Sequence, residues 1–479
     1  MSVISERTGT AVQASPHGVR VVDPELERIR EVLLSRLLEF ARRWSQGQPI
    51  DPDWEQVRHE AIRFNHRHYL ARIPVYAGLA ESAGLRPDAD AADEDTDELL
   101  DLIVNELLVT DAVFKSYDPA WLQTGDFGRM TRWLGEIHAT ELSAPPEHGL
   151  AGVREWSSWL AGQGVHLSYS SGTSGRMSFV PRDARAFKAL MENSRSYART
   201  DWFMDPQTGR PRRFACLIAG PRGHGLGILG AAAGLARLAV RAHYHLDLDV
   251  GGQQLEQASQ LDAERLNQVF GLSDQAQAQA AARTVAFLDE CTEQALPVLV
   301  FGPPFLLRRM CLGIREAGGC RPLRTGSMVS SGGGWKSFSN ERISAAQLRA
   351  MVDEVLGLSG VGDASVAGDG FVDAYSTAEL NCTLMSCAYG RYHVPPLVEP
   401  LVLDEDYLGA IGTTGRGLLG FLDPFATSYP GFFVTGDIAE LGRGRCECGL
   451  DGYHISGEIQ RARAHEVKGC GGVLASLLT

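Results

Sequence analysis

The chain has 479 residues, of which 44% are hydrophobic and 22% charged, as in a soluble globular protein that buries a large core. Its formal net charge of −14 argues against a general nucleic-acid binder, which carries a basic footprint. No stretch is long and apolar enough to span a bilayer, no signal peptide is recognisable, and nine cysteines are scattered without a dense framework. We therefore expect a cytoplasmic protein with no membrane span.

The first part of the chain is predicted to be helical. Residues 1–22 show no apolar period and are expected to form a flexible lead, followed by an N-terminal helical region over residues 23–109. Between Pro24 and Trp44 apolar residues recur at helical spacing, which predicts an amphipathic helix. Its buried face is expected to hold Leu26, Ile29, Val32, Leu33, Leu37 and Phe40.

Two further segments of this region have helical character. They cover residues 51–82 and Asp97–Leu108, and the acidic run Asp88–Asp97 between them is expected to be a solvated loop. The apolar segment Leu226–Val240 is rich in glycine and alanine, so we expect a buried helix with close backbone packing.

Past Val109 short β-prone runs alternate with helical stretches, which indicates an α/β sheet domain. The runs occupy residues 214–218, 298–301 and 432–434, and each is followed within two residues by glycine. A helix is expected over residues 265–296, where Pro297 would end it.

A loop rich in hydroxyl groups and glycine is the most informative motif. It follows the β-prone run Val165–Tyr169 and consists of Ser170, Ser171, Gly172, Thr173, Ser174 and Gly175. Successive N–H groups of such a loop form an anion site, which points to a nucleoside triphosphate, although the Walker A spacing is absent. A polar surface turn is the alternative for the loop taken alone.

Four motifs downstream decide between these alternatives. They are Ser331-Gly332-Gly333-Gly334-Trp335-Lys336, Asp373–Glu379, Thr435-Gly436-Asp437 and Lys468-Gly469-Cys470. Their order and spacing resemble the adenylate-forming (ANL) superfamily and, within it, the LuxE-type acyl-protein synthetases. The narrower resemblance is carried by Gly302-Pro303-Pro304, Gly-Gly-Gly-Trp-Lys, Glu379-Leu380-Asn381, His393-Val394-Pro395-Pro396, Ala426–Pro430 and the closing Lys-Gly-Cys. It covers roughly residues 110 to 475.

The resemblance implies an α/β fold with an ANL-type large adenylation domain of mixed sheets flanked by helices. The adenylation core would span residues 110–436, and residues 437–479 would form a short segment with a truncated lid and an acceptor cysteine. The implied reaction uses ATP and Mg²⁺ to activate a carboxylic acid, by this family a fatty acid, as an acyl-adenylate. The acyl group would then pass to a thiol.

Nucleotide-binding roles follow from the same resemblance. The loop Ser170–Gly175 would hold the triphosphate, with Thr173 also near Mg²⁺, and Arg176 would replace the lysine that such loops usually carry. Tyr375 would stack on adenine with Ser376 and Thr377 beside it, at a strand end that turns into a helix. Glu379 would bind Mg²⁺, and Asp437, at the end of a strand, would bind the ribose hydroxyls. For Arg176 the alternative is an exposed loop arginine. For Tyr375 and Glu379 it is an ordinary pair of residues four apart on a helix.

The acyl half of the site is assigned in the same way. Gly333, Gly334 and Trp335 would line the adenine or acyl pocket, and Lys336 would stabilise the acyl carboxylate or the adenylate phosphate. Only four lysines occur, at positions 115, 188, 336 and 468, and two of these lie in motifs. Cys470 would accept the acyl group, with Lys468 and Arg461 lowering the pKa of its thiol. For the glycine-rich segment that ends at Lys336, the alternative is a structural turn. For Cys470 it is an inert cysteine.

The final acceptor is left open by the sequence. An acyl reductase with its own cysteine is the partner that the family implies, and coenzyme A or a carrier-protein thiol is the nearest alternative. A nucleotide-binding scaffold without catalysis is the alternative of another class.

A second chemical question concerns Cys446-Glu447-Cys448-Gly449. One C-x-C with His454 or His465 nearby falls short of the four ligands of a structural zinc site, so a zinc site and a simple turn both remain open. His393, before two prolines, is assigned to a rigid loop corner.

Overall fold

The computed structural model describes eleven segments of the chain, and every structural statement below concerns them. They are residues 24–85, 96–146, 150–169, 176–196, 202–205, 208–223, 227–250, 274–335, 342–358, 370–405 and 409–462. The predictions made for residues 1–22, for the acidic run up to residue 95 and for residues 265–273 lie outside the described residues.

Four helices form the N-terminal region. They are α1 (Pro24–Ser45), α2 (Trp54–Arg72), α3 (Pro74–Ser82) and α4 (Thr96–Glu106). The predicted helix over residues 51–82 is broken at Ile73, because Pro74 disfavours helical backbone before it and begins the next helix instead.

The buried face of α1 differs from the predicted one. Leu26, Ile29 and Val32 are 45%, 41% and 55% exposed, whereas Leu37 and Phe40 are buried as expected. Arg30 is buried in their place and pairs with Glu27, whose carboxylate also receives a hydrogen bond from Arg185 of a later helix. No hydropathy pattern records this ion pairing between α1 and a remote helix, so the sequence does not predict that Arg30 is buried.

A mixed segment leads into the sheet. It comprises β1 (Val109–Thr110), a 3-10 turn (Val113–Lys115), α5 (Pro119–Thr124), α6 (Phe127–Glu136), α7 (Val153–Gly162), β2 (Val165–Tyr169), β3 (Phe179–Asp183) and α8 (Ala184–Ser196). The predicted strand at Val165–Tyr169 is present, and it pairs with β3 in an antiparallel two-stranded sheet.

The remaining elements build the main sheet and its helices. The first group is β4 (Ala215–Ile218), β5 (Arg222–Gly223), α9 (Gly227–Leu238), β6 (Arg241–Tyr244), β7 (Asp249–Val250), α10 (Asp274–Glu293), β8 (Val298–Gly302), α11 (Pro304–Glu316), β9 (Met328–Gly332), α12 (Ala345–Leu356) and β10 (Phe371–Tyr375). The second group is β11 (Leu384–Ser386), β12 (Tyr392–His393), β13 (Glu399–Leu403), β14 (Ala410–Gly412), β15 (Gly415–Leu422), β16 (Phe432–Arg443) and β17 (Tyr453–Arg461).

The main sheet has 13 strands and two halves of different type. Its order is β14-β13-β15-β16-β17-β12-β11-β10-β9-β8-β4-β6, and β1 pairs with β16. Strands β6, β4, β8, β9 and β10 pair in parallel, in that order. Every following pair from β10 to β14 is antiparallel, and β1 lies parallel to β16. Helices cover both faces of the parallel half, whereas the N-terminal helices share one core with the antiparallel half. This is the mixed α/β architecture that the sequence predicts.

Helix α9 is less buried than expected. Ala232 packs in the core, but Leu238 and the following Val240 are each 47% exposed, so the predicted fully buried helix is wrong. Small residues let one side of α9 approach β4 while the other side stays at the surface. Among the described residues no helix has the length and apolar character needed to cross a membrane.

Candidate functional site

Three strands bring the nucleotide motifs to one edge of the sheet. Tyr375 ends β10, Asp437 lies on β16 and Arg461 ends β17, opposite Asp437. The Tyr375 hydroxyl donates to one carboxylate oxygen of Asp437 at 2.9 Å, and the Arg461 guanidinium donates to the other at 3.2 Å. Both oxygens of Asp437 are therefore oriented by neighbours that a ligand could share or displace.

Two residues that the motifs did not single out complete this group. Asp111 follows β1, which pairs in parallel with the start of β16, and Lys115 ends the next turn. The Lys115 ammonium lies 2.6 Å from the Asp111 carboxylate, and the Arg461 guanidinium lies 3.4 Å from the same carboxylate. We call Asp111, Lys115, Tyr375, Asp437 and Arg461 the charged cluster. The scarcity of lysine was the one sequence signal that pointed to Lys115.

Asp437 does not end a strand, which corrects the prediction. Strand β16 continues from Phe432 to Arg443 because β15 and β17 pair with it on both sides. Its register against both neighbours shifts close to Asp437. Such an irregularity lets β16 direct the Asp437 side chain towards the ends of the parallel strands. The rest of β16 stays paired within the antiparallel half.

Gly436 makes room for Arg461. A Cβ atom at position 436 would lie 2.6 Å from the central guanidinium carbon of Arg461, a separation at which one group must move. The Ala462 N–H donates to the Gly436 carbonyl at 2.9 Å, so the chain leaves the described part of the structure beside Asp437. An alanine in place of Gly436 would therefore displace the guanidinium of Arg461.

Glu379 is buried with a raised pKa. Its side chain is 6% exposed. Burial raises the pKa of this carboxyl, the nearby charge of Asp111 raises it further, and Lys115 acts in the opposite direction. For Tyr375, burial and then the charge of Asp437 raise the pKa well above its usual value, so the hydroxyl remains a donor.

The segment after Tyr375 is a loop of bends, and the helix predicted there is wrong. The buried Arg182 guanidinium donates to the Asn381 side chain at 2.8 Å and to the Ala378 carbonyl at 2.7 Å. These bonds take the place of helical ones, so an arginine almost two hundred residues away sets the conformation of the loop that carries Ser376, Thr377 and Glu379. No local sequence signal contains that information.

Asp423 supports the same loop. Its carboxylate accepts hydrogen bonds from the Asn381 N–H at 2.7 Å and the Phe425 N–H at 2.8 Å, and the residue is fully buried. Burial raises the pKa of Asp423 to about 6. The Tyr429 hydroxyl donates to the Glu379 carbonyl at 2.6 Å. Groups of the protein itself thus donate to both oxygens of the Asp423 carboxylate.

The glycine-rich loop after β9 lies next to Tyr375. Strands β9 and β10 are parallel neighbours, and Gly332 is opposite Ala374. Gly333 and Gly334 have φ values of 88° and 66°, which favour glycine, and Trp335 is half-buried. The structure thus brings these residues to the edge that carries the charged cluster.

Arg176 also lies on this side of the molecule. Its guanidinium is 3.4 Å from the Lys115 carbonyl oxygen and 3.5 Å from that of Tyr117. The other predicted site residues lie outside the described residues, and their roles stay predictions. They are Ser170, Ser171, Gly172, Thr173, Ser174, Gly175, Lys336, Lys468 and Cys470.

The donor set fits the Mg²⁺ ion that the family resemblance implies. Glu379 is a buried carboxyl whose pKa is raised both by burial and by a second carboxylate, that of Asp111. A bound cation would relieve both effects, and Mg²⁺ prefers carboxylate oxygens. Glu379 is therefore the residue that would hold it.

Sequence comparison reaches the same family as the motifs. The family model for "Acyl-protein synthetase, LuxE" matches residues 272–479. The long-chain-fatty-acid–luciferin-component ligase of Aliivibrio fischeri is 26% identical over 201 residues, which are 41% of this chain and 50% of that protein. The ligase of the same name from Vibrio harveyi is 26% identical over 191 residues, 39% of this chain and 47% of that protein.

Residues 272–479 are similar to the LuxE-type acyl-protein synthetases. The recognition made from the motifs is confirmed, although the family match begins well after residue 110. The chain spans about half the length of the curated LuxE-type relatives it matches.

Comparison with solved structures shows the fold of the chain. A 2-hydroxyisobutyryl-CoA ligase in its postadenylation state has a TM-score of 0.51 at 12% identity, over 85% of this chain and 67% of that one. The open conformation of that ligase, in complex with an acyl-AMP and CoA, has a TM-score of 0.50 at 13% identity, over 85% and 69%. The described chain thus has the fold of that ligase.

Proposed function

We propose that this protein activates a carboxylic acid, by family a long-chain fatty acid, with ATP and transfers the acyl group to a thiol. The observation that carries the proposal is the charged cluster with Glu379 at one sheet edge. It combines an acceptor for ribose hydroxyls, an aromatic ring and a buried carboxyl on an adenylate-forming fold. The LuxE-type sequence of residues 272–479 supports the choice of acid and of acceptor.

The first step joins two anions. A carboxylate oxygen attacks the α-phosphorus of ATP, and the bond from that phosphorus to the β-phosphate bridge breaks to release pyrophosphate. The Asp437 carboxylate would accept hydrogen bonds from the ribose hydroxyls, and Tyr375 and Arg461 fix its orientation. Lys336 and the loop Ser170–Gly175 would neutralise carboxylate and phosphate charge. Bound Mg²⁺ would supply further charge neutralisation at the phosphates.

The second step moves the acyl group to Cys470. Its thiolate attacks the acyl carbon, and AMP leaves. Cys470 follows Ala462 by eight residues, and an extended chain covers at most about 3.6 Å per residue, so its Cα lies within about 29 Å of Ala462. Ala462 is hydrogen-bonded to Gly436, beside Asp437, so the distance permits direct transfer. An acyl reductase with its own thiol would then receive the acyl group.

Intact-protein mass spectrometry tests both steps. After incubation with ATP, Mg²⁺ and a panel of fatty, aryl and amino acids, we expect the wild-type mass to increase by one acyl group with the preferred acid. Cys470→Ser should lose this increase and retain acid-dependent exchange of pyrophosphate into ATP. Cys320→Ser, which alters an exposed cysteine, should behave as wild type.

Two results would overturn parts of the proposal. Full turnover of Cys470→Ser with coenzyme A or a carrier-protein thiol would make the protein a direct ligase for that acceptor. Absence of pyrophosphate exchange with every acid, while ATP still binds, would make it a non-catalytic nucleotide-binding scaffold.

A further inference from the structure

Four side chains with metal-binding atoms meet away from the charged cluster. They are Cys387, His393, Cys446 and Cys448, and we call them the Cys–His cluster. All four are buried, and their ligand atoms lie within 4.8 Å of one another. The sequence pointed to Cys446 and Cys448 alone, with His454 or His465 as a partner. Cys387 and His393 come from a hairpin more than fifty residues earlier, and His465 lies outside the described residues.

The two sulfur-bearing turns have the same backbone hydrogen bonds. In each, the cysteine N–H donates to the carbonyl four residues later, from Cys387 to Arg391 at 2.9 Å and from Cys446 to Leu450 at 2.8 Å. In each, the N–H of the glycine three residues later donates to the cysteine carbonyl, at 2.9 Å for Gly390 and 2.8 Å for Gly449. These glycines have φ values of 70° and 91°. The repeat shows two turns built alike and facing one space.

The separations between ligand atoms are close to those around a tetrahedral ion. Zinc bonds of about 2.3 Å to sulfur and about 2.0–2.1 Å to nitrogen place tetrahedral ligand atoms roughly 3.4–3.8 Å apart. The Cys448 sulfur lies 3.3 Å from His393 Nε2, and the sulfurs of Cys387 and Cys446 lie 3.9 Å apart. A disulfide would need about 2.05 Å between sulfurs. The arrangement suits one central atom bound by all four groups.

We propose that the Cys–His cluster is a structural Zn²⁺ site. Three thiolates and one imidazole are the ligand set that selects zinc among common ions, and four protein ligands leave no position for substrate. The ion would join the β11–β12 hairpin to the turn between β16 and β17.

Contacts around the cluster support a structural role. Arg391 of one turn pairs with Glu447 of the other at 2.9 Å. The Trp44 indole N–H, near the end of α1, donates to the Asp451 carbonyl at 2.7 Å, and its ring meets His393 edge-on with centroids 6.3 Å apart. The site would thus tie the N-terminal helices to the strands that carry Asp437 and Arg461.

Metal analysis of the purified full chain tests the proposal. After expression with added zinc, we expect about one Zn²⁺ per chain by plasma mass spectrometry. His393→Phe and Cys446→Ser should fall below about a tenth of that, whereas His393→Cys, which restores a fourth soft ligand, should retain zinc. Cys320→Ser, at an exposed cysteine outside the cluster, is the matched control and should keep the full content.

A second measurement on the wild type does not depend on variant folding. A mercurial thiol reagent should release one zinc per chain, and alkylation mapped by mass spectrometry should reach Cys387, Cys446 and Cys448 only after that release. Cys320 should be alkylated throughout. A folded wild-type chain without stoichiometric metal, one that carries iron in place of zinc, or a Cys446→Ser chain with its full zinc would overturn the proposal.

Discussion

The β16–β17 hairpin carries two clusters of opposite character. Where Asp437 faces Arg461, side chains are partly exposed, charged and hydrogen-bonded to one another. Around the turn, Cys446 and Cys448 are buried with Cys387 and His393. A ligand can replace the hydrogen bonds of the charged cluster, because at a half-exposed site these groups already exchange partners with water. The four side chains of the Cys–His cluster are buried and offer no such exchange. We therefore expect substitutions in the two clusters to have different effects.

The strongest test of this contrast is Asp437→Ala. We expect kcat/KM for ATP to fall roughly 100-fold or more, because two hydrogen bonds to a charged group contribute about 1.5–3 kcal/mol each. The free energy of unfolding should fall by only about 1–3 kcal/mol, because the ion pair with Arg461 is partly exposed and the main loss is the acceptor of the Tyr375 hydroxyl. Urea unfolding and steady-state kinetics give both values. Glu440→Ala, at an exposed position on the same strand, is the control, and an equal loss of activity there would refute the assignment.

Arg182→Met tests the buried support of the site. It leaves the Asn381 side chain and the carbonyls of Ala378 and Leu380 without their donor, so we expect a loss of about 3 kcal/mol in the free energy of unfolding. Arg185→Met, which removes an exposed arginine from pairs with Glu27 and Glu31, should cost less than about 1 kcal/mol. Similar losses in the two variants would show that the network does not hold the Glu379 loop.

Gly436→Ala tests the close contact between position 436 and the Arg461 guanidinium. The new methyl group would displace the Arg461 guanidinium from Asp437, and we expect kcat/KM for ATP to fall about tenfold, equivalent to one weakened charge-assisted bond. Gly135→Ala, where no atom lies within 4 Å of the added carbon, should leave the kinetics unchanged. Unaltered ATP kinetics in Gly436→Ala would mean that Arg461 is not needed there.

The smallest effect concerns pH. Burial and the charge of Asp111 raise the pKa of Glu379, and the carboxyl must ionise to hold a cation. Asp111→Asn should therefore lower that pKa and move the acidic limb of the kcat/KM profile to lower pH. Lys115→Met removes a charge that lowers the pKa, so its acidic limb should move to higher pH. Profiles that shift in the same direction would contradict this coupling.

Much of the fold could be predicted from the sequence. The runs at Val165–Tyr169, Ala215–Ile218 and Val298–Gly302 are strands because continuous or alternating apolar residues suit a buried sheet. The N-terminal helices follow from apolar periodicity. These features depend on neighbours a few residues away, which a single sequence records.

The missed features depend on remote partners. Arg182 sets the loop after Tyr375, Arg30 takes a buried place on α1, and strand pairing on both sides extends β16 past Asp437. The two prolines after His393 predicted only a rigid corner, and its thiol partner, Cys448, lies 55 residues further along. Side chains that meet only after the sheet has formed leave no local pattern.

The hydrogen bond between Ala462 and Gly436 has a kinetic consequence if Cys470 is the acceptor. A thiol tethered by eight residues to a point beside Asp437 experiences an effective concentration on the order of millimolar. Free thiols of the same intrinsic reactivity, present at micromolar levels, would lose that competition. The chain would then retain each activated acyl group as a covalent load until a partner collected it, and the supply of that partner would set the rate of turnover.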